Sequence, residues 1–256
     1  MKFLISILTA LMLVASGCVT TSKVDYPSYR LDEEIYQSLP EKKAVYIAPV
    51  ELLSTRIANF RDVYGVMQSE IESYMAGNGY NVLSSGRIER NFSYNMAEIG
   101  GFYNQQTGKF DTKLLHKCID NTIEDLKKYG EFSTIVIPLL VFSPLSLQRP
   151  YTRGTWNGVT RKVDVKTTSG MSFSPVRTMS IKLIVFSSES DFIFDSVGGI
   201  DFIQKVREVG SLGSRGVGLT TKESDEFSLE DIREGIEMAF HPFIFSEKIG
   251  DAKEKM

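Results

Sequence analysis

Histidine, cysteine and tryptophan are all scarce in this 256-residue chain, with two, two and one copies respectively. The two histidines, His116 and His241, lie far apart in sequence. His116 and Cys118 stand two positions apart on an expected helix and so point in different directions, which leaves no pair of ligands for a metal. No Gly-x-Ser-x-Gly elbow, P-loop or His-Glu-x-x-His motif is present, and a serine without a positioned base is a poor nucleophile. Beyond the first residues no apolar run approaches the 18 or so needed to span a bilayer. The formal net charge of -3 gives no electrostatic footprint for nucleic acid. These absences point to a non-enzymatic chain with no cofactor and no nucleic-acid partner.

What is present begins at the amino terminus. Lys2 supplies a positive start, and Phe3 to Val14 form an apolar run of signal-peptide length, broken only by Ser6 and Thr9. Ala15, Ser16 and Gly17 then lead into Cys18, which resembles the lipobox of bacterial lipoproteins, although Ala15 stands where leucine is usual. The resemblance implies cleavage before Cys18, a diacylglycerol group on its thiol and a third chain on the new amino terminus. More than one acyl chain makes a stable anchor. Val19, in place of the aspartate that tends to retain such proteins at the inner membrane, resembles an outer-membrane address facing the periplasm. The alternative is an ordinary secretory signal cleaved nearby. The other cysteine, Cys118, has no partner left to bridge with and falls on the apolar face of an expected helix, so it reads as a buried, inert thiol.

The mature part of about 239 residues is long enough for a full hydrophobic core. Residues 18–43 are polar and without sustained period and read as a tether, which fully extended reaches on the order of 80 Å. The run from Tyr26 to Tyr36 is open to a second reading, in which it docks on the domain. A single domain is expected over 44–246, with a polar tail over 247–256.

Ala44 to Val50 reads as a buried strand closed by Pro49. Phe60, Val63, Tyr64, Met67, Ile71, Tyr74 and Met75 recur every three or four residues as one face of a helix, and Gly77-Asn78-Gly79 ends it. A short strand over 80–83 follows. Residues 86–110 read as an irregular, aromatic-rich loop. Asp111 or Thr112 caps a second helix with a stripe of Leu114, Leu115, Cys118, Ile119, Thr122, Ile123 and Leu126. Residues 134–142, the most apolar strand, belong in the middle of a sheet. Met179 to Val185 and Phe192 to Val206 read as an antiparallel pair with Gly198-Gly199 as a bulge or bend. Ser228 caps a terminal helix, with Phe227 placed to staple over Ile232.

The fold class is therefore α/β: a mixed β-sheet covered by three main helices, with long loop or hairpin insertions. This order resembles the envelope group that includes the TolB amino-terminal domain, the penicillin-binding-protein activator LpoB and the curli secretion lipoprotein CsgG. The likeness spans residues 43–246 and lies in the opening strand, the Gly79-Tyr80-Asn81-Val82 strand and the terminal helix. It implies a periplasmic lipoprotein that binds an unidentified envelope protein or assembles with itself, or else an oligomeric secretion pore.

Two segments remain. The glycine-rich stretch from Gly210 to Gly218 lacks the helix a phosphate-binding loop needs directly after it and reads as a flexible loop. The insertion over 143–175 holds Tyr151, Arg153, Trp156, Arg161 and Phe173, residue types that dominate binding when a pocket receives them, and is the candidate partner surface. The alternative is that Trp156 packs back on its own domain. Read as one strand, 155–167 presents no continuous apolar face, which disfavours a membrane hairpin.

Overall fold

In the computed structural model the described residues are 26–40, 43–54, 60–102, 111–145, 153–162, 176–211 and 214–244. They form strands β1 (Tyr29–Leu31), β2 (Ala44–Ile47), β3 (Asn81–Leu83), β4 (Thr134–Leu145), β5 (Arg153–Trp156), β6 (Val159–Lys162), β7 (Val176–Ser187), β8 (Phe192–Phe202), β9 (Gln204–Ser211) and β10 (Ser214–Thr221). The helices are α1 (Glu33–Ser38), α2 (Arg61–Gly77), α3 (Ser85–Glu98), α4 (Thr112–Lys127) and α5 (Leu229–Phe240).

Six strands form one mixed sheet in the order β1-β8-β7-β4-β2-β3. β2 runs parallel to both β3 and β4, and β1, β8, β7 and β4 pair antiparallel in turn. Alternation along the central strands sends side chains to opposite faces. Val45, Ile47, Val136 and Leu140 enter one core with Met67, Ile71 and Met75 of α2 and Ile232, Ile236 and Phe240 of α5. Tyr46, Ala48, Ile135 and Ile137 enter the other, with Ile88 and Phe92 of α3 and Cys118, Ile119, Ile123 and Leu126 of α4. Each fully buried side chain of this size contributes roughly 1.5–3 kcal/mol, so a helix with several of them is held by the sheet rather than by its own propensity.

The mixed α/β architecture, the strand-helix-strand opening and the central place of β4 match expectation. Asn78 closes α2, its amide nitrogen donating to the Tyr74 carbonyl at 2.7 Å, and Gly79 follows in the left-handed region at φ 82°. Asp111 caps α4 by accepting from the Lys113 and Leu114 amides, and the Ser228 hydroxyl accepts from Asp231 at the start of α5. Phe227 and Ile232 share one core. The expected irregularity near Gly198-Gly199 is a register shift in the β7–β8 ladder, where Met179 faces Asp201 and Ser180 faces Gly199, leaving Ile200 extra.

Three expectations are corrected. Residues 85–98, read as part of a loop, form helix α3, so the sheet carries four long helices rather than three. Its stripe is interrupted by Asn95, which is buried and donates to Asp125 at 3.0 Å across the α3–α4 contact. The tertiary partner makes a polar residue acceptable there. Residues 204–211 and 214–221, read partly as a long strand and partly as a flexible loop, pair as β9 and β10 from Gln204↔Thr221 to Ser211↔Ser214. Of residues 18–43, read as a tether, 26–40 belong to the domain, as the second reading of Tyr26 to Tyr36 has it: β1 pairs with β8, and the Tyr36 hydroxyl donates to the Phe243 carbonyl at 2.9 Å.

Candidate interaction surface

β8 would be an edge strand, with unpaired N–H and C=O groups along its outer side, but for two segments laid over it. The amino-terminal arm covers one stretch, pairing Tyr29 with Ser196 and Leu31 with Phe194. The β5–β6 hairpin covers the next. The Gly199 amide donates to the Asn157 carbonyl at 2.9 Å, and the Arg161 Nε donates to the Ile200 carbonyl at 2.8 Å.

The hairpin is built locally by Asn157-Gly158, both at positive φ (42° and 84°), the pair a two-residue hairpin turn prefers. Its ladder sets Arg153 opposite Lys162, Gly154 opposite Arg161, Thr155 opposite Thr160 and Trp156 opposite Val159. One face therefore carries Gly154, Trp156, Val159 and Arg161, and the other Arg153, Thr155, Thr160 and Lys162.

The first face is turned inward. Trp156 packs against Phe202 with ring centroids 4.9 Å apart, and its indole N–H donates to the Ser180 hydroxyl at 3.2 Å, which also accepts from Asn157 at 3.0 Å. The fit is close: a Cβ on Gly199 would stand 2.4 Å from Val159 and 2.7 Å from the Trp156 carbonyl. Arg161, its side chain only 12% exposed, pairs with Asp231 at 3.0 Å and Glu234 at 2.7 Å on α5. Burial raises the Asp231 carboxyl above its ordinary range, and the Arg161 charge only partly offsets this.

Of the residues expected to meet a partner, Trp156 and Arg161 are thus engaged by their own domain. Arg153 alone is exposed on the outer face, and Tyr151 and Phe173 lie outside the described residues, as does Cys18. Within the described residues the hairpin's strands are Arg153–Trp156 and Val159–Lys162.

Below the hairpin the arm is fastened by different chemistry. Arg30 makes a bidentate bond to Asp195, at 2.8 and 2.7 Å, and Lys182 approaches the same carboxylate at 3.2 Å. Arg30 foremost holds the Asp195 carboxyl below the usual range. Tyr26 stacks on His241 with ring centroids 3.9 Å apart.

Sequence reasoning missed one further surface, the open groove between the first turns of α2 and α5. Arg61, Asp62, Gly65, Asp225 and Ile232 help to line it. Val66 and Leu229, each 41% exposed, present apolar surface to it, and Arg233 bridges to Glu70 at 2.7 Å. The signal was readable in principle, since Val66 falls off the buried stripe of α2.

Cys118 is fully buried, its thiol donating to the Phe92 carbonyl at 3.6 Å, and burial pushes its pKa up to about 11. Among the described residues no cluster of three or more His, Cys, Asp or Glu is placed to hold a metal ion. No helix among them is long and apolar enough to cross a membrane.

No family model matches the sequence, and no curated protein matches it. Among solved structures the chain is similar to a neuraminyllactose-binding hemagglutinin homologue of Helicobacter pylori, at 10% identity and a TM-score of 0.30, over 86% of this chain and 94% of that one, a likeness too slight to argue from.

Proposed function

We propose that this protein is a non-enzymatic outer-membrane lipoprotein, anchored through Cys18 and facing the periplasm, whose α/β domain serves as an interaction or assembly module of an envelope complex. The observation that carries this reading is the succession of Lys2, the apolar run to Val14 and the small residues before Cys18, followed only eight positions later by a residue packed on the folded domain. The likeness in element order to the TolB, LpoB and CsgG group supports the same reading by fold analogy alone. A secretion pore is the weaker reading, because the inner face of the β5–β6 hairpin is occupied by the domain itself.

The test is made in cells of a Gram-negative host. The wild-type chain incorporates labelled palmitate and fractionates with the outer membrane, and Cys18→Ala does neither. A photo-crosslinker placed at Val66, in the groove between α2 and α5, then captures a discrete envelope protein or a second copy. Label incorporated equally by both chains overturns the anchor, and ring-shaped oligomers with channel conductance from detergent-purified protein favour the pore.

A further inference from the structure

The docked arm changes the reach of the anchor. Had residues 18–43 been free, the domain could have stood on the order of 80 Å from the membrane. With Tyr26 stacked on His241, β1 in the sheet and Tyr36 bonded to Phe243, only the steps from Cys18 to Tyr26 remain as leash. Eight residues span at most roughly 28 Å, whatever their conformation. For eight residues of unstructured chain the root-mean-square reach is roughly 16 Å. The sheet from β1 to β3 is itself roughly 24 Å wide, from five strand spacings. The leash is therefore comparable to the width of the sheet and leaves from one edge of it.

We propose that the domain is held against the lipid headgroups with its β1–β8 edge, and the hairpin over it, turned to the leaflet, while the β3 edge faces away. This rests on the lipid-anchor reading of Cys18. The occupant of the β1–β8 side is the lipid surface itself. Tyr29, 48% exposed, and Arg30 lie next to the leash, with the exposed Arg153 and Lys162 on the hairpin's outer face. Tyrosine and arginine are side chains that suit an interface of this kind. Asp32, Glu33 and Glu34 are also exposed on the arm, so the leash rather than net attraction holds the contact, and salt does not release it.

The experiment uses the lipidated full chain in vesicles of phosphatidylethanolamine and phosphatidylglycerol that carry an energy-transfer acceptor. Donor dyes are placed singly at Ser28→Cys, beside the leash, and at Asn81→Cys, on β3. Both positions are exposed, and Cys118 is buried away from the label. Transfer is expected to be stronger from position 28 than from position 81, in low and high salt alike. A Gly/Ser insertion of about twenty residues after Thr21 raises the root-mean-square reach to roughly 29 Å and should erase most of the difference. Flotation with the vesicles is read first. A wild-type chain that fails to float overturns the anchor reading and this proposal with it. Equal transfer from both positions in a chain that floats, or a difference that survives the insertion, overturns the proposal alone.

Discussion

The arm and the β5–β6 hairpin cover neighbouring stretches of the same strand by opposite means. The arm uses backbone ladder, stacking on the buried His241, apolar side chains such as Leu31 and Ile35 against the core, and an ion pair whose arginine is 72% exposed. The hairpin uses close packing on glycine, a buried indole and a largely desolvated arginine. Segments that look spare along a sequence, a polar tether and an aromatic insertion, both turn out to protect β8. The difference between them lies in how much each loses when one contact is removed.

The largest effect is expected where two backbones meet. A Cβ on Gly198 would stand 1.9 Å from the Gly235 carbonyl, against backbone that cannot swing aside. Gly198→Val should therefore cost about 3 kcal/mol or prevent folding, read by urea unfolding of the purified domain. Next comes Arg161→Met, which strands Asp231 and Glu234 beside the hairpin. Because those carboxylates keep some solvent, with side chains 27% and 42% exposed, the cost should be about 2 kcal/mol rather than the full penalty of a broken buried pair. Trp156 is the only tryptophan, so the same variant should red-shift the fluorescence as the hairpin lifts. An unshifted spectrum would show that packing on Phe202 suffices without the ion pair.

On the arm the effects should be smaller. Tyr36→Phe removes one hydrogen bond to Phe243 and should cost about 1 kcal/mol. The Asp195 carboxyl is depressed by Arg30, so its contribution is present above the ordinary carboxylate pKa and is lost as pH falls through the lower folded value. Acid should loosen the arm, and Asp195→Asn should flatten that dependence by well under about 1 kcal/mol, because the Arg30 side chain is 72% exposed. Proteolysis within residues 26–40 as a function of pH reads this directly. Native Cys118 should resist maleimide at neutral pH and react only on unfolding, the thiol being both buried and raised to about 11.

Strands β2, β4 and β7 and helices α2, α4 and α5 were legible because burial on a layered sheet leaves a periodic apolar signature. Helix α3 was hidden by Asn95, whose polarity breaks the stripe unless Thr122 and Asp125 on α4 are already known to meet it. The β5–β6 turn was legible and overlooked: Asn157-Gly158 is a strong hairpin signal, and reading 155–167 as one strand mixed residues that belong to opposite faces. Trp156 and Arg161 are of the residue types that dominate binding when a pocket receives them. The sequence alone could not say whose pocket, because an aromatic and an arginine serve a partner or their own domain equally well until the groups opposite them are known.

By itself the sequence determined the layered α/β architecture, the capped ends of its helices, the inert burial of Cys118 and the expectation of a lipid anchor at Cys18. Each is written in local spacing and side-chain chemistry, and no distant residue is needed to read it. Only the tertiary structure decided that the arm joins the sheet and that the hairpin faces inward. Those outcomes depend on what β8, α5 and Ser180 place opposite these segments, and such pairings over long sequence separations leave no period in the chain.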